Sequence, residues 1–169
     1  MSECELIKRA EREAASLINK LKEFQASIAL AESCTAGLIS GLLANVPGAS
    51  KVLWGSFVCY TKEAKMRMLD LDEKALDAYG LVSGEAACMM AESALKKSGA
   101  SIAAAVTGLA GPEGDETATP VGTVWAAVAK QNAETIVTEY HFTGSRNEVR
   151  QNGAIAVMEM SMQALDKTR

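Results

Sequence analysis

"ASIALAESCTAGLISGLLA", Ala26 to Ala44, is the stretch whose reading decides the fold. Its first six residues are a short apolar run suited to a buried strand. From Thr35 to Ala44 it reads as a helix, which stops before the breakers Pro47 and Gly48 of "NVPGAS". Between the two, Glu32 to Thr35 put a carboxylate, two hydroxyls and a thiol in four consecutive positions. A strand that hands over directly to a helix is the repeating unit of an α/β fold. The "AESCTAG" handover has three readings: a nucleophile on a turn, a seat for phosphate, or a well-capped helix.

Outward from that stretch the same alternation repeats. Glu3 to about Phe24 carries Ile7, Ala10, Ala14, Leu17, Ile18 and Leu21 as one helical stripe. "KVLWGSFVCY", 51–60, reads as a long strand, followed by short helices at 61–69 and 72–80. The helix over 82–99 has the clearest ends: Ser83 caps it, Glu85 suits its first turn, Lys96 and Lys97 its last, and Gly99 stops it. "SIAAAV", 101–106, is a second buried strand and runs into a loop rich in Gly, Pro, Thr and acids, 107–122. "GTVWAAVA" and "ETIVTEYHF" read as an antiparallel pair. A long helix from Thr143 to Lys167 closes the chain, with "MEMSM", 158–162, reading as helix core, an interface being the alternative. Strands alternating with helices, with one late hairpin, imply an α/β sandwich on a mixed sheet. Neither an internal repeat nor a linker divides residues 1–169, so a single domain is expected.

Composition narrows the function. The 169 residues are 49% apolar and 22% charged with net charge −4, which argues against an electrostatic nucleic-acid binder. No apolar run approaches the roughly 20 residues that span a bilayer. The charged N-terminal segment is unlike a signal peptide, so a cytoplasmic protein without a membrane partner is expected. Cys4, Cys34, Cys59 and Cys88 form no C-x-x-C pair and His141 is the only histidine, so four reduced thiols are expected and no metal. Glu113, Asp115 and Glu116 fit a solvated loop better than a cation site.

Four clusters carry the chemistry. At "ESCTAG" the unpaired N–H groups of a helix start, with the hydroxyls of Ser33 or Thr35, suit an anion; a plain helix cap is the alternative. "PGASKVLWGSFVCYTKEAKM" offers Ser50, Lys51, Ser56, Tyr60, Lys62 and Lys65. A serine needs a base, and His141 lies in a strand-like run without a triad pattern, which makes it a strand histidine. A buried lysine with a lowered pKa can serve instead, and Lys62 and Lys65 are the candidates, against the reading that both are solvated. In "TGLAGPEG", Thr107 ends a buried strand beside a cleft, while Gly108 and Gly111 allow close approach of a ligand. In "GSRNEVR", Arg146 and Arg150 share a helix face; one grips a ligand anion, or both make surface ion pairs. The loops after Ala31 and after Val106 are expected at one sheet edge, where ligands bind.

Together "AESCTAG", "GSFVCYTKEAK", "AVTGLAGPEG", "PVGTVW" and "GSRNEVR" resemble, in order, the signatures of the CinA C-terminal domain family, from about Leu17 to the last helix. The best-understood members of that family are nicotinamide mononucleotide deamidases. The resemblance implies a three-layer α/β/α sandwich with a mixed, mostly parallel sheet. It implies a serine amidohydrolase of nucleotide salvage that works without cofactor or metal and forms homo-oligomers, a dimer being favoured. Its Ser/Lys dyad would be Ser50 as nucleophile and Lys65 as base, with Tyr60, Ser33 and Thr107 as further active-site residues. Arg146 would bind the substrate, nicotinamide mononucleotide, with Thr35, Gly108 and Arg150 as neighbouring binding residues. The rival expectation is a nucleotide-binding or regulatory module that keeps the anion seats without the dyad. Two positions depart from the family pattern. Ala36 stands where "ESCTGG" has glycine, a costly exchange if φ is positive there. Lys62 stands where asparagine is common, and a second ammonium near Lys65 would lower its pKa or compete with it.

Overall fold

Side chains along a strand alternate between the two faces of its sheet, and here that alternation sorts the molecule into two unlike cores. Ile28, Leu30, Ile102, Val106, Val124 and Val128 lie on one face, against the stripes of the first, second and last helices. The opposite face carries Ala29, Ala31, Ala103, Ala105, Ala127 and Ala129. A face made largely of alanine lets a helix ride close to the sheet, with Phe57 and Trp125 also packing there, and that helix is itself buried through Ala86, Ala87, Ala91 and Ala94.

The computed structural model describes residues 3–166. In chain order its elements are α1 (Glu3–Glu23), β1 (Ile28–Glu32), α2 (Leu38–Ala44), a 3-10 turn (Ala49–Lys51) and β2 (Leu53–Val58). Then come α3 (Lys62–Leu69), α4 (Glu73–Tyr79), α5 (Gly84–Ser98) and β3 (Ile102–Gly108). The chain finishes with β4 (Thr123–Lys130), β5 (Ile136–His141) and α6 (Arg146–Asp166). The sheet order is β2-β1-β3-β4-β5. β1 is parallel to both β2 and β3, and β4 is antiparallel to both β3 and β5. Only β4 therefore runs against the rest. Helices cover both faces, giving the expected α/β/α sandwich with a mostly parallel sheet.

Most expected elements form, with informative differences. In α1 the buried stripe is Leu6, Ala10, Ala14, Leu17, Ile18 and Leu21, while Ile7 is exposed. The long strand expected at 51–60 is only Leu53–Val58, because Ala49–Lys51 close a 3-10 turn first. The second helix begins at Leu38 instead of Thr35. Ala36 (φ 50°) and Gly37 (φ 90°) are both left-handed and break the helical path there. Ala36 therefore does hold the positive φ that costs a non-glycine residue about 1–2 kcal/mol. Ser83 caps α5 by accepting from Ala86 N–H, and Gly99 ends it in the left-handed region, as the sequence predicts. Met158 and Met160 are buried in α6; Lys167, where that helix was expected to end, lies outside the described residues.

Candidate active site

Because β2, β1 and β3 are parallel neighbours, the segments that follow them leave from one edge of the sheet, where α/β folds bind ligands. After β1 comes the Ser33–Gly37 turn, after β2 the segment Cys59–Thr61 leading into α3, and after β3 the loop beginning at Leu109. They enclose a cleft of about 190 Å³ lined by Ser33, Cys34, Tyr60, Lys65, Thr107, Gly108, Asp115 and Arg146, among others. The close fit of α5 brings a further wall, since Thr107 Oγ1 donates to Leu81 O at 2.7 Å just before that helix.

Lys65 is the centre of this cleft. It is only 1% exposed, the largest fully buried side chain among the described residues. Its Nζ lies 2.7 Å from Ser33 Oγ and donates to Cys59 O at 3.1 Å. Among the described residues no carboxylate pairs with it, so burial goes uncompensated and pulls its pKa below the usual lysine value. A neutral amine in this position donates to the Cys59 carbonyl and keeps its lone pair for the Ser33 hydroxyl. Both neighbouring thiols are held protonated: burial pushes Cys34 up to about 11 and also raises Cys59. Neither offers the thiolate that a cysteine nucleophile requires.

Ser50 does not belong here. It sits exposed in the 3-10 turn ahead of β2, whereas Lys65 follows the far end of that strand. The six residues of β2 separate them by roughly 20 Å of extended chain. The expected Ser50/Lys65 dyad is thus replaced by the Ser33–Lys65 pair. Lys62 is equally remote from the expected role. It pairs on the surface with Glu73 (3.1 Å) and Asp77 (2.5 Å), and the hydrogen bond it donates to Asp77, followed by the one it donates to Glu73, raises its pKa. His141 is a strand histidine near Glu139 and Thr123, with 62% of its side chain exposed.

The anion seat at α2 is already occupied from within. The Glu32 carboxylate, fully buried, accepts from Ile39 N–H (3.0 Å), Ser40 N–H (2.9 Å), Thr35 Oγ1 (2.8 Å) and Ser56 Oγ (3.1 Å). A carboxylate at a helix start is itself the favoured anion there, so the Thr35 hydroxyl is committed to Glu32 and Thr35 does not line the cleft. The only signal of this role in the sequence is the place of the carboxylate directly before a helix start. Arg150 is likewise engaged by the fold. Its Nε donates to Cys34 O (3.1 Å) and its Nη2 to Thr35 O (2.7 Å), and it does not line the cleft. Arg146 does line it: Nη1 donates to Gly111 O and Nη2 to Tyr60 Oη, each at 2.7 Å. Gly108 lines the cleft where a Cβ would sit 2.8 Å from Thr123 O, so glycine is needed for the β3–β4 approach. Among the described residues no three His, Cys, Asp or Glu side chains converge as a metal site, and no helix is long and apolar enough to cross a membrane.

Fold and cleft together define an α/β sandwich domain with a buried amine–hydroxyl pair at the carboxyl edge of its parallel strands. The chain belongs to the CinA C-terminal domain family, whose model matches residues 10–165. It is 41% identical over 143 residues to a CinA-like protein of Thermotoga neapolitana, covering 85% of this chain and 35% of that one. It is 43% identical over 138 residues to a CinA-like protein of Geobacter metallireducens, covering 82% and 33%. The chain thus spans about a third of the length of these curated relatives. Among solved structures, a competence/damage inducible protein, CihA, from Agrobacterium tumefaciens superposes with TM-score 0.88 at 36% identity, covering 94% of this chain and 96% of that chain. A competence-damaged protein (CinA) superfamily protein from Escherichia coli gives TM-score 0.87 at 31% identity over 92% and 90%.

Proposed function

We propose that the domain is a serine amidohydrolase in which Ser33 is the nucleophile and Lys65 the general base, acting on the carboxamide of nicotinamide mononucleotide. The observation that carries this reading is a buried lysine without a counter-ion, 2.7 Å from a seryl oxygen on the wall of a cleft. The substrate comes from the family resemblance; the chemistry comes from the pair. Neutral Lys65 takes the Ser33 proton as Oγ attacks the amide carbon. The resulting ammonium then protonates the departing amide nitrogen, which leaves as ammonia, and water cleaves the acyl-enzyme by the same path. A cationic pyridinium ring next to the amide makes its carbon more electrophilic and disfavours a charge on Lys65.

The cleft is smaller than the 300–1,000 Å³ typical of sites that enclose a whole ligand. It suits the ring and amide, with ribose and phosphate passing outward over Tyr60 and Arg146. Tyr60 is 52% exposed, and the Arg146 guanidinium is exposed at the rim, where an arginine fork suits a phosphate. The test is ammonia release from nicotinamide mononucleotide. Ser33→Ala and Lys65→Ala are expected to lose about 1,000-fold or more, and Ser50→Ala to stay within about twofold of wild type. Wild-type protein that binds the nucleotide and releases no ammonia would establish the binding-module reading instead.

A further inference from the structure

The hydrolytic step needs donors for the oxyanion, and the hydrogen bonds of the Ser33–Gly37 turn identify them by elimination. Ser33 N–H is spent on Val106 O, Ala36 N–H on Ser33 O, and Leu38 N–H on Thr35 O. The Cys34 N–H meets only its own thiol, a weak acceptor, and the Thr35 N–H takes part in none of the backbone hydrogen bonds of the turn. In a trans peptide the C=O and N–H of one unit point in opposite directions. Arg150 Nε draws the Cys34 carbonyl toward α6, which packs with α1 and α2 on one face of the sheet. The Thr35 N–H of that same peptide unit consequently points away from α6. Lys65, on α3, packs on the other face. Resting on the amidase reading, we propose that the Cys34 and Thr35 N–H groups form the oxyanion hole and that Arg150 is the positioning residue that sets it.

Arg150 has three qualities for this role. Its planar fork spans two successive carbonyls, Cys34 O and Thr35 O, so it fixes the tilt of both peptide planes together. Its charge polarises the Cys34 carbonyl, which makes the Thr35 N–H on the same unit a stronger donor. Its reach across the interior ties the turn to α6 instead of to its own strand, so the hole keeps its shape while the cleft fills. Glu32 fixes the turn from the other end through Thr35 Oγ1 and the first N–H groups of α2. An oxyanion bound here places its charge where preorganised donors act at no cost in reorganisation.

The experiment compares Arg150→Lys and Arg150→Gly with wild type in steady-state ammonia release. It adds two further readouts: affinity for an aryl boronic acid, which forms a tetrahedral adduct with an active serine, and for nicotinic acid mononucleotide, the product. A lysine cannot bridge both carbonyls. Expected for both variants is a fall in kcat of roughly 10- to 100-fold with KM within about threefold, and a parallel loss of boronate affinity while product affinity holds. Millimolar methylguanidine is expected to restore part of the kcat of Arg150→Gly; if that variant does not fold, Arg150→Lys carries the comparison. Unchanged kcat in a folded variant overturns the proposal, and so does a rise in KM alone, which would make Arg150 a substrate contact. If wild type and Lys65→Ala release ammonia equally slowly, the amidase reading has failed. Absence of boronate binding to wild type would then remove the oxyanion hole with it.

Discussion

Replacing Lys65 with methionine interrogates the uncharged amine through stability, independently of any substrate. The side chain is 1% exposed, has no carboxylate partner among the described residues, and touches only Ser33 Oγ and Cys59 O as polar groups. Burial lowers its native pKa, while the unfolded chain holds the proton up to about pH 10.4. In the interval between those two values the unfolded state binds more protons than the native one. Wild-type stability therefore rises with pH there, by at most 2.303RT, about 1.4 kcal/mol per pH unit for one proton. Below the lowered pKa both states hold the proton and the penalty is constant and largest. Methionine has similar length and no charge, so Lys65→Met removes the penalty. Its stability relative to wild type is expected to be greatest at low pH and to shrink as pH rises, by about 2–3 kcal/mol across two pH units inside the interval. The raised thiols act with the opposite sign. Cys34 (about 11) and Cys59 stay protonated in the native state while unfolded thiols ionise, which lowers stability at alkaline pH; because the Lys65 charge lowers both thiols, this contribution differs between the two proteins, and the difference is read below the thiol range, under about pH 8. Urea unfolding at half-unit steps from about pH 6 to about pH 8, followed by circular dichroism, measures it. A difference independent of pH over that range would mean an amine whose pKa is ordinary or raised, and that result refutes the reasoning.

Three further outcomes follow from the geometry. Ala36→Gly removes a left-handed Cβ at φ 50°, and after the freer unfolded chain takes back part of the gain, chemical denaturation is expected to show a few tenths to about 1 kcal/mol of added stability. Glu32→Ala leaves the Ile39 and Ser40 N–H groups and two hydroxyls without their acceptor inside the fold, and a loss of about 3 kcal/mol or more is expected by the same measurement. Gly108→Ala sets a methyl 2.8 Å from Thr123 O and 2.9 Å from a Val124 methyl, so the β3–β4 pair must part, with about 1–3 kcal/mol lost and ammonia release reduced along with it.

The layers of this fold are legible in its sequence because they rest on local pattern. Apolar runs of strand length, the Ser83 and Gly99 helix ends and the late hairpin each announce themselves within a few residues. The site is only half legible, for a topological reason. Ser33, Tyr60 and Lys65 stand after the carboxyl ends of parallel strands, Thr107 stands just before such an end, and the four converge, whereas Ser50 stands ahead of a strand and cannot. Strand direction alone separates the two serines, so the rule that ligands gather where parallel strands end was the signal that favoured Ser33. Other assignments depended on contacts across the chain. Nothing near Arg150 in sequence says that its guanidinium reaches back 115 residues to Thr35 O. Glu32 and Thr35 look like an open anion seat until the carboxylate is seen to turn onto the helix that follows it. Lys62 and Lys65 are three residues apart on one short helix, and only packing tells the surface ion pair from the buried base.

The most direct measurement is to quench the protein rapidly during turnover of nicotinamide mononucleotide and map the acylated peptide by mass spectrometry. The account predicts a nucleotide-derived acyl group on Ser33, lost in Ser33→Ala and retained in Ser50→Ala. An adduct on Ser50, or undiminished ammonia release by the Ser33→Ala protein, would contradict it.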